Sequence, residues 1–440
     1  MNRKQIDKQY INMILENKEE YYKDYIRTKE RVKDSKATYK GQPVPFLYMP
    51  KFYTDEDIEN FRNLTTVMSS IFNKVIDKFL QDENYRLKFK FPNWINDLIL
   101  LPKQYDSYFP MARFDIFYDY DGNFKFCEIN TDGTSAMNEE RELSRVFMDS
   151  KGVEDFKEEF NFEPFELFET WIDEVLNIYK EKHTKSNPAI AIVDFVSKSS
   201  MEEFIEFRDR FRKRGLWCEI ISPDELEYKD GYLYSGNKMI DIVYRRLVTK
   251  DLMDNKDDIN DFIEGIKSSN TTIIGPLKSQ IVHNKIIFKI LQEEETLNLL
   301  TEEERNFVIR HIPFTKELDL ANLDIDEIIK NKGKYIIKPM DFYASKGVYA
   351  GKEHSKEKWE QYLKQCNDNN YLIQEYFNPP ETEMIDFEEG STLKSFKNIT
   401  GLYIYNENFY GVYSRVGKKA IISGIHDGYT LPTFHTRKKG

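Results

Sequence analysis

The segment Ala112-Arg-Phe-Asp-Ile-Phe-Tyr-Asp-Tyr-Asp-Gly-Asn-Phe-Lys-Phe-Cys-Glu-Ile-Asn130 limits what this chain can fold into more sharply than any other. Aromatic and β-branched residues flank Asp121-Gly122, and an Asp-Gly step between such runs is a strong hairpin signal. With Asp121-Gly122 as a two-residue turn, Asp115 stands opposite Glu128 and Arg113 opposite Asn130. Side chains alternate faces along a strand, so all four leave the same side of the ribbon. Two directly opposed carboxylates repel. A cation between them removes the penalty, and two carboxylates with an amide oxygen are hard ligands of the kind Mg²⁺ shares with nucleotide phosphates. A three-residue loop from Tyr120 to Gly122 would instead set Asp115 opposite Cys127 and scatter the group, and surface hairpins commonly carry unrelated charges.

At 440 residues the chain can bury a substantial core in two or three domains or subdomains. Its 32 Phe and 28 Tyr exclude a disordered chain, which would lack aromatic residues. A net charge of −12 argues against general nucleic-acid binding, which needs basic surface, but leaves room for a basic cleft around ATP. Cys127, Cys218 and Cys366 lie far apart without Cys-x-x-Cys spacing, so neither a zinc cluster nor a disulfide framework is indicated. Cys127 alternates away from Glu128 and is expected to be packed rather than reactive. No apolar run approaches membrane-spanning length, and Met1-Asn-Arg-Lys has no hydrophobic segment behind its charges. The expectation is a cytoplasmic protein with neither membrane nor nucleic acid as partner.

Along the chain, Ile6, Tyr10, Ile14, Tyr21 and Tyr25 follow a helical period with a solvated opposite face. Pro43, Pro45 and Pro50 interrupt it before a capping signature at Thr54-Asp-Glu-Asp57. After the hairpin, helices are expected over 138–147 and 162–179. A strand at Ala189–Phe195, a helix from Ser199 to Arg214, Gly215 and a strand at Leu216–Ser222 imply a right-handed βαβ unit on a parallel sheet. A turn at Asp230-Gly231, a strand over 240–246 and Ile273–Pro276 complete that unit. The last third is expected to hold a helix over 283–291 and a strand at Lys334–Pro339. A loop then runs from Asp341 through Ser345-Lys346-Gly347 into Val348–Ala350. A helix over 356–365, a strand at Tyr371–Tyr376, two strands around Asn406-Glu-Asn408 and a short strand at Ala420–Ser423 follow.

Lys285 and Lys338 each sit in apolar surroundings, where a buried ammonium needs an anion. Phosphate oxygens suit a compact point charge, although a strand-end lysine more commonly reaches solvent. The loop containing Ser345, Lys346 and Gly347 can lay backbone N–H groups and a hydroxyl over phosphates. Gln374-Glu375-Tyr376 ends a strand that can offer its backbone to a base, or is an ordinary strand end. Arg415 with Arg113 can stabilise charge on a transferred phosphoryl group, or can serve as a salt-bridge partner. The six histidines form no ligand spacing, and none is given a catalytic role.

The order Arg-x-Asp (Arg113, Asp115), Glu-x-Asn (Glu128, Asn130), Asn284-Lys285, Lys338-Pro339, Gln374-Glu375-Tyr376 and Arg415 resembles the synthetase domain of glutathionylspermidine synthase. It also looks like the wider group of circularly permuted ATP-grasp ligases. The resemblance spans roughly residues 110 to 420. It implies that Arg113 contacts transferred phosphate and that Asp115, Glu128 and Asn130 hold magnesium. It implies further that Lys285 and Lys338 bind nucleotide phosphates, that Gln374–Tyr376 form the hinge, and that Arg415 is the late arginine. The chain departs from the family in starting almost directly with the synthetase-like region and in a glycine-poor phosphate loop. Residues 377–396, with Pro379-Pro380 and a Glu-rich stretch, are matched to no motif that the resemblance supplies.

The reading is an α/β, ATP-grasp-like fold, circularly permuted, with a Rossmann-like flanking subdomain. Residues 1–185 would hold an N-terminal helical region and the metal hairpin, 186–276 the Rossmann-like pre-ATP-grasp unit, and 277–440 the ATP-binding lid and the rest of the core. The expected activity is ligation of a small-molecule or peptide carboxylate to an amine, with ATP and Mg²⁺, through an acyl phosphate. A nucleotide-binding regulator and an ATP-dependent phosphotransferase are the alternatives.

Overall fold

The 27-residue helix Asp55–Gln81 sets the geometry of everything around the hairpin. Thr54 caps it as expected, accepting from the Asp57 amide while Asp57 receives the Thr54 amide. Ile58, Phe61, Leu64, Met68, Ile71, Phe72, Val75, Ile76 and Phe79 recur every three or four residues and form one buried face. That face meets Phe114, Ile116 and Tyr118, with Phe72–Phe114 ring centres 5.7 Å apart and Phe61–Tyr118 4.8 Å apart. Burial of alternate hairpin residues behind the sheet leaves Arg113, Asp115 and Phe117 on the opposite side. The computed structural model that shows this describes residues 1–196, 201–267, 270–342, 346–367, 370–422 and 428–439.

The hairpin strands Met111–Tyr118 and Phe124–Asn130 form one edge of a six-stranded antiparallel sheet. Next come the 14-residue strand Thr392–Tyr405, then Asn408–Gly417 and Gly428–Leu431. The unplaced segment 377–396 supplies the sixth strand, Glu381–Asp386, paired to the first half of Thr392–Tyr405. Its Phe387 packs on Tyr25, and Tyr25 donates to Glu388, so the segment is docked on the N-terminal helices.

A second antiparallel sheet runs Thr315–Glu317, Tyr371–Glu375, Tyr335–Pro339, Tyr349–Ala350. The middle of the chain forms a parallel sheet in the order Thr272–Ile274, Ile242–Arg245, Ile190–Val193, Cys218–Ile221, crossed by the helix Met201–Lys213. Its strands Ile190–Val193 and Ile242–Arg245 are buried throughout, as the apolar runs require. Asp230 and Gly231, both at positive φ, turn a small meander inserted between its strands. The C-terminal strand Thr433–Lys438 lies between Lys51–Tyr53 and Phe160–Pro164.

Three sequence expectations change. The stretch 162–179 is a strand end followed by the helix Phe168–Lys180, because Pro164 cannot supply an interior helical N–H. The stretch 283–291 is two short helices, Gln280–His283 and Ile287–Ile290, separated at Asn284-Lys285. Residues 420–422 form no strand, and Ser199, Ser345, Ser423, His426 and Asp427 lie outside the described residues.

Candidate functional site

The hairpin reaches its predicted cross-strand pairs by an unpredicted route. Arg113 pairs with Asn130 and Asp115 with Glu128, but Ile116 pairs with Phe126 and Tyr118 with Phe124. The loop is therefore the longer one, Tyr120–Gly122, closed by an Asp119 amide bond to the Asn123 carbonyl and completed by Gly122 at φ +83. A β-bulge at Cys127 absorbs the offset, returning Glu128 and Asn130 to the face of Asp115.

That face is crowded with ions. The Arg113 guanidinium grips both oxygens of Asp115, at 2.7 and 3.1 Å, and donates to the Ser135 carbonyl. Arg415 adds a second guanidinium at 2.9 Å, and Asp115 is fully buried. The Tyr413 ring lies against both arginines, 5.4 and 5.2 Å from their central carbons. Room for this arrangement comes from Gly401, which pairs with Asp115 on the next strand. A Cβ at Gly401 would stand 2.8 Å from Arg113 Cδ and 2.9 Å from Asp115 Oδ1. Sequence reasoning missed Gly401, and its one signal is a glycine inside an otherwise apolar strand.

Glu128 bonds Lys285 at 2.8 Å. Burial opposes its ionisation, yet the Lys285 ammonium overrides this and, with help from Lys338, holds the Glu128 carboxyl down to about 2. The break between the two short helices places Lys285 here, with its amide on the Met340 carbonyl and its ammonium also on the Phe342 carbonyl. Lys338 turns inward from the second sheet to Gln374 Oε1 at 2.9 Å and to the Cys127 carbonyl at 3.3 Å. Gln374 is anchored in turn on Thr315. Arg415, Glu128, Lys285, Lys338 and Gln374 thus line one cleft between the two antiparallel sheets. Phe117, Phe126, Ile336, Val348, Phe377 and Ile422 give it apolar walls, and Cys127 lies on the wall too. Burial pushes the Cys127 thiol up to about 11, which keeps it unreactive.

Other expected residues fit less directly. The Glu375 and Tyr376 amides are committed to the Phe314 and Lys334 carbonyls, so those backbone donors are taken. Glu375 and Tyr376 do line the cleft, and the amide that follows them belongs to Phe377, whose ring stacks on Phe117. Lys346 is exposed, and neither it nor Gly347 lines the cleft. Two buried pairs went unanticipated, Arg245–Asp132 and Arg246–Glu203, each at 2.5 Å. Arg245–Asp132 ties the segment after the hairpin to the parallel sheet, and Arg246–Glu203 ties the end of that sheet to the helix Met201–Lys213. The tandem arginines ending an apolar strand were their signal.

The donor set fits Mg²⁺ in kind. Asp115, Glu128 and Asn130 share one face of the hairpin and carry hard oxygens, but of the three only Glu128 lines the cleft. Asp115 is fully buried under its two arginines, and the Asn130 atom buried without a partner among the described residues is the amide nitrogen, a donor rather than a ligand. Among those residues no three His, Cys, Asp or Glu cluster to hold an ion, so phosphates would complete any shell. The carboxylate repulsion read from the sequence is already relieved by arginine and lysine, so a metal is not needed to explain the pairing.

Residues 44–424 match the family description "Glutathionylspermidine synthase preATP-grasp". The chain belongs to this family. That membership places it, at family level, among ATP-dependent ligases of ATP-grasp type. Among solved structures it is similar to a glutathione synthetase-like effector from Globodera pallida in apo form, at 12% identity and a TM-score of 0.58. The likeness covers 94% of this chain and 96% of that one, and it concerns the fold alone. D-cycloserine synthetase DcsG aligns at 15% identity over 57% of this chain and 75% of that one, with a TM-score of 0.30, too low to add to the fold assignment. No curated protein matches the sequence.

Proposed function

We propose that this member of the family joins a carboxylate to an amine at the expense of ATP, releasing ADP and phosphate. The observation that carries the reading is the convergence of Lys285, Lys338, Arg415 and Glu128 on one apolar-walled cleft, with Asp115 paired directly across from Glu128. In this reading the fold is a circularly permuted ATP-grasp, with 186–276 a Rossmann-like unit receiving substrate between residues 1–185 and 277–440. Lys285 and Lys338 hold nucleotide phosphates as compact charges. Gln374 fixes Lys338, while Glu375, Tyr376 and Phe377 border the base. Asp115, Glu128 and Asn130 would hold Mg²⁺, which supplies charge neutralisation on the phosphates when bound. Arg113 and Arg415 meet the negative charge that develops on the transferred phosphoryl group. The substrate carboxylate attacks the γ-phosphorus, ADP leaves, and the amine then displaces phosphate from the acyl phosphate.

The test is ADP release with Mg-ATP across a matrix of carboxylates and amines, glutathione with spermidine included, with products weighed by mass spectrometry. ADP formed only when both substrates are present, with a product one water lighter than their sum, is the expected result. Phosphate retained on a single substrate would replace ligase with phosphotransferase. ATP binding without turnover anywhere in the matrix would replace it with a nucleotide-binding regulator.

A further inference from the structure

Among the described residues, the cations lining the cleft, Lys285, Lys338 and Arg415, already have anionic or carbonyl partners, but the partnerships differ in kind. Asp115 is held by two guanidiniums, so losing one leaves it paired. Glu128 has Lys285 as its direct ion-pair partner, with side chains 30% and 10% exposed respectively. We infer that Glu128 and Lys285 are an exchange pair, which a divalent cation and a nucleotide can open cheaply only together. This rests on the cleft being the nucleotide site proposed above.

The argument is one of pairing charges. ATP entering without metal draws Lys285 onto a phosphate and leaves the Glu128 carboxylate unpaired beside other negative oxygens. Metal entering without nucleotide draws Glu128 away and leaves a mostly buried ammonium next to a dication. An uncompensated charge in such surroundings is costly. When both enter, Lys285 passes to phosphate and Glu128 to metal, and every charge ends with a partner. The same ammonium also donates to the Phe342 carbonyl, a bond that a three-donor ammonium keeps when it passes from Glu128 to phosphate. By linkage, the metal tightens nucleotide binding by the factor by which nucleotide tightens metal binding.

Any Mg²⁺ helps ATP bind anionic surroundings, so the discriminating measurement is made without it. ATP affinity is measured by calorimetry in EDTA and in MgCl₂ for the wild type, Glu128→Gln and Lys285→Met, each checked for folding by its melting midpoint. Wild type is expected to bind ATP far more weakly in EDTA. Glu128→Gln should bind metal-free ATP on the order of tenfold more tightly than wild type while losing most of the gain from Mg²⁺, within the usual range of coupling. Lys285→Met should bind Mg²⁺ alone more tightly than wild type does, because its Glu128 is free. If Glu128→Gln binds metal-free ATP no better than wild type, the exchange is overturned while the nucleotide site stands. If wild type binds ATP in neither buffer, the nucleotide reading falls and the exchange with it.

Discussion

Asp115 and Glu128 face each other, yet they answer to substitution differently. Asp115 is fully buried between Arg113 and Arg415, so Asp115→Ala leaves two guanidiniums facing each other with their anion gone. Breaking a buried pair by removing one partner costs about 3–5 kcal/mol, and urea unfolding should show a loss of that order. Glu128 is partly exposed, but Glu128→Ala leaves the mostly buried Lys285 ammonium only its Phe342 carbonyl, so it should cost less than Asp115→Ala, about 1–3 kcal/mol, while ligase turnover disappears. Equal stability losses in the two variants would contradict this account of the site. Gly401→Ala belongs with Asp115: the added methyl pushes on Arg113 and Asp115, so kcat should fall although the glycine touches no substrate. The residue types at the site were legible because acidic and basic residues in β-rich sequence need a reason to be there. Gly401 was not, because its reason is a clash with side chains nearly three hundred positions away.

The hairpin and the helix Met137–Phe147 show what an element adds. Apolar residues at Phe124, Phe126 and Ile129 are spaced first by two and then by three, and that break in alternation marks the bulge at Cys127. The Asp-Gly step sits in a three-residue loop, and the bulge restores the facing of Glu128 that a two-residue turn would have produced. Helix ends were legible where caps were strong, as at Thr54, and illegible at Asn284-Lys285, where tertiary contacts of Lys285 interrupt a continuous apolar pattern. On Met137–Phe147, Glu140 is fully buried, and Ser144 donates to one of its oxygens. Burial raises its carboxyl from 4.5 to about 8. The folded state therefore keeps a proton that the unfolded state has released between those values, so stability falls as pH rises through that window. Glu140→Gln should remove this slope: melting midpoints of variant and wild type should be closest near pH 4.5 and diverge in favour of the variant toward pH 8.

At the scale of the molecule, the cleft exists because two sheets and the N-terminal helices are held in register by charges no local pattern announces. Arg3 is buried against Asp57 at 3.4 Å and donates to the Asp119 carbonyl, while Tyr120 donates to Asp7, so the first helix braces the hairpin turn. Arg3→Met should lower the melting midpoint while leaving the order of substrate preference unchanged. Ligand should act in the opposite direction: Mg-ATP at about a hundred times its Kd should add about 2.7 kcal/mol, visible as a raised midpoint in a thermal shift assay. Strand content and the parallel unit were readable from alternation and apolar runs, whereas sheet order was not, since it depends on which distant strand covers each edge. Across the cleft, Lys338 of one sheet touches the other at the Cys127 carbonyl. What position 127 contributes to that contact is a peptide unit, not a thiol. A scan that exchanges side chains one by one would pass over it in silence, with Cys127→Ser and Cys127→Ala alike binding ATP as before. Deleting the residue would straighten the strand, keep Glu128 opposite Asp115, and withdraw the carbonyl, so only a change in chain length would reveal the position at all.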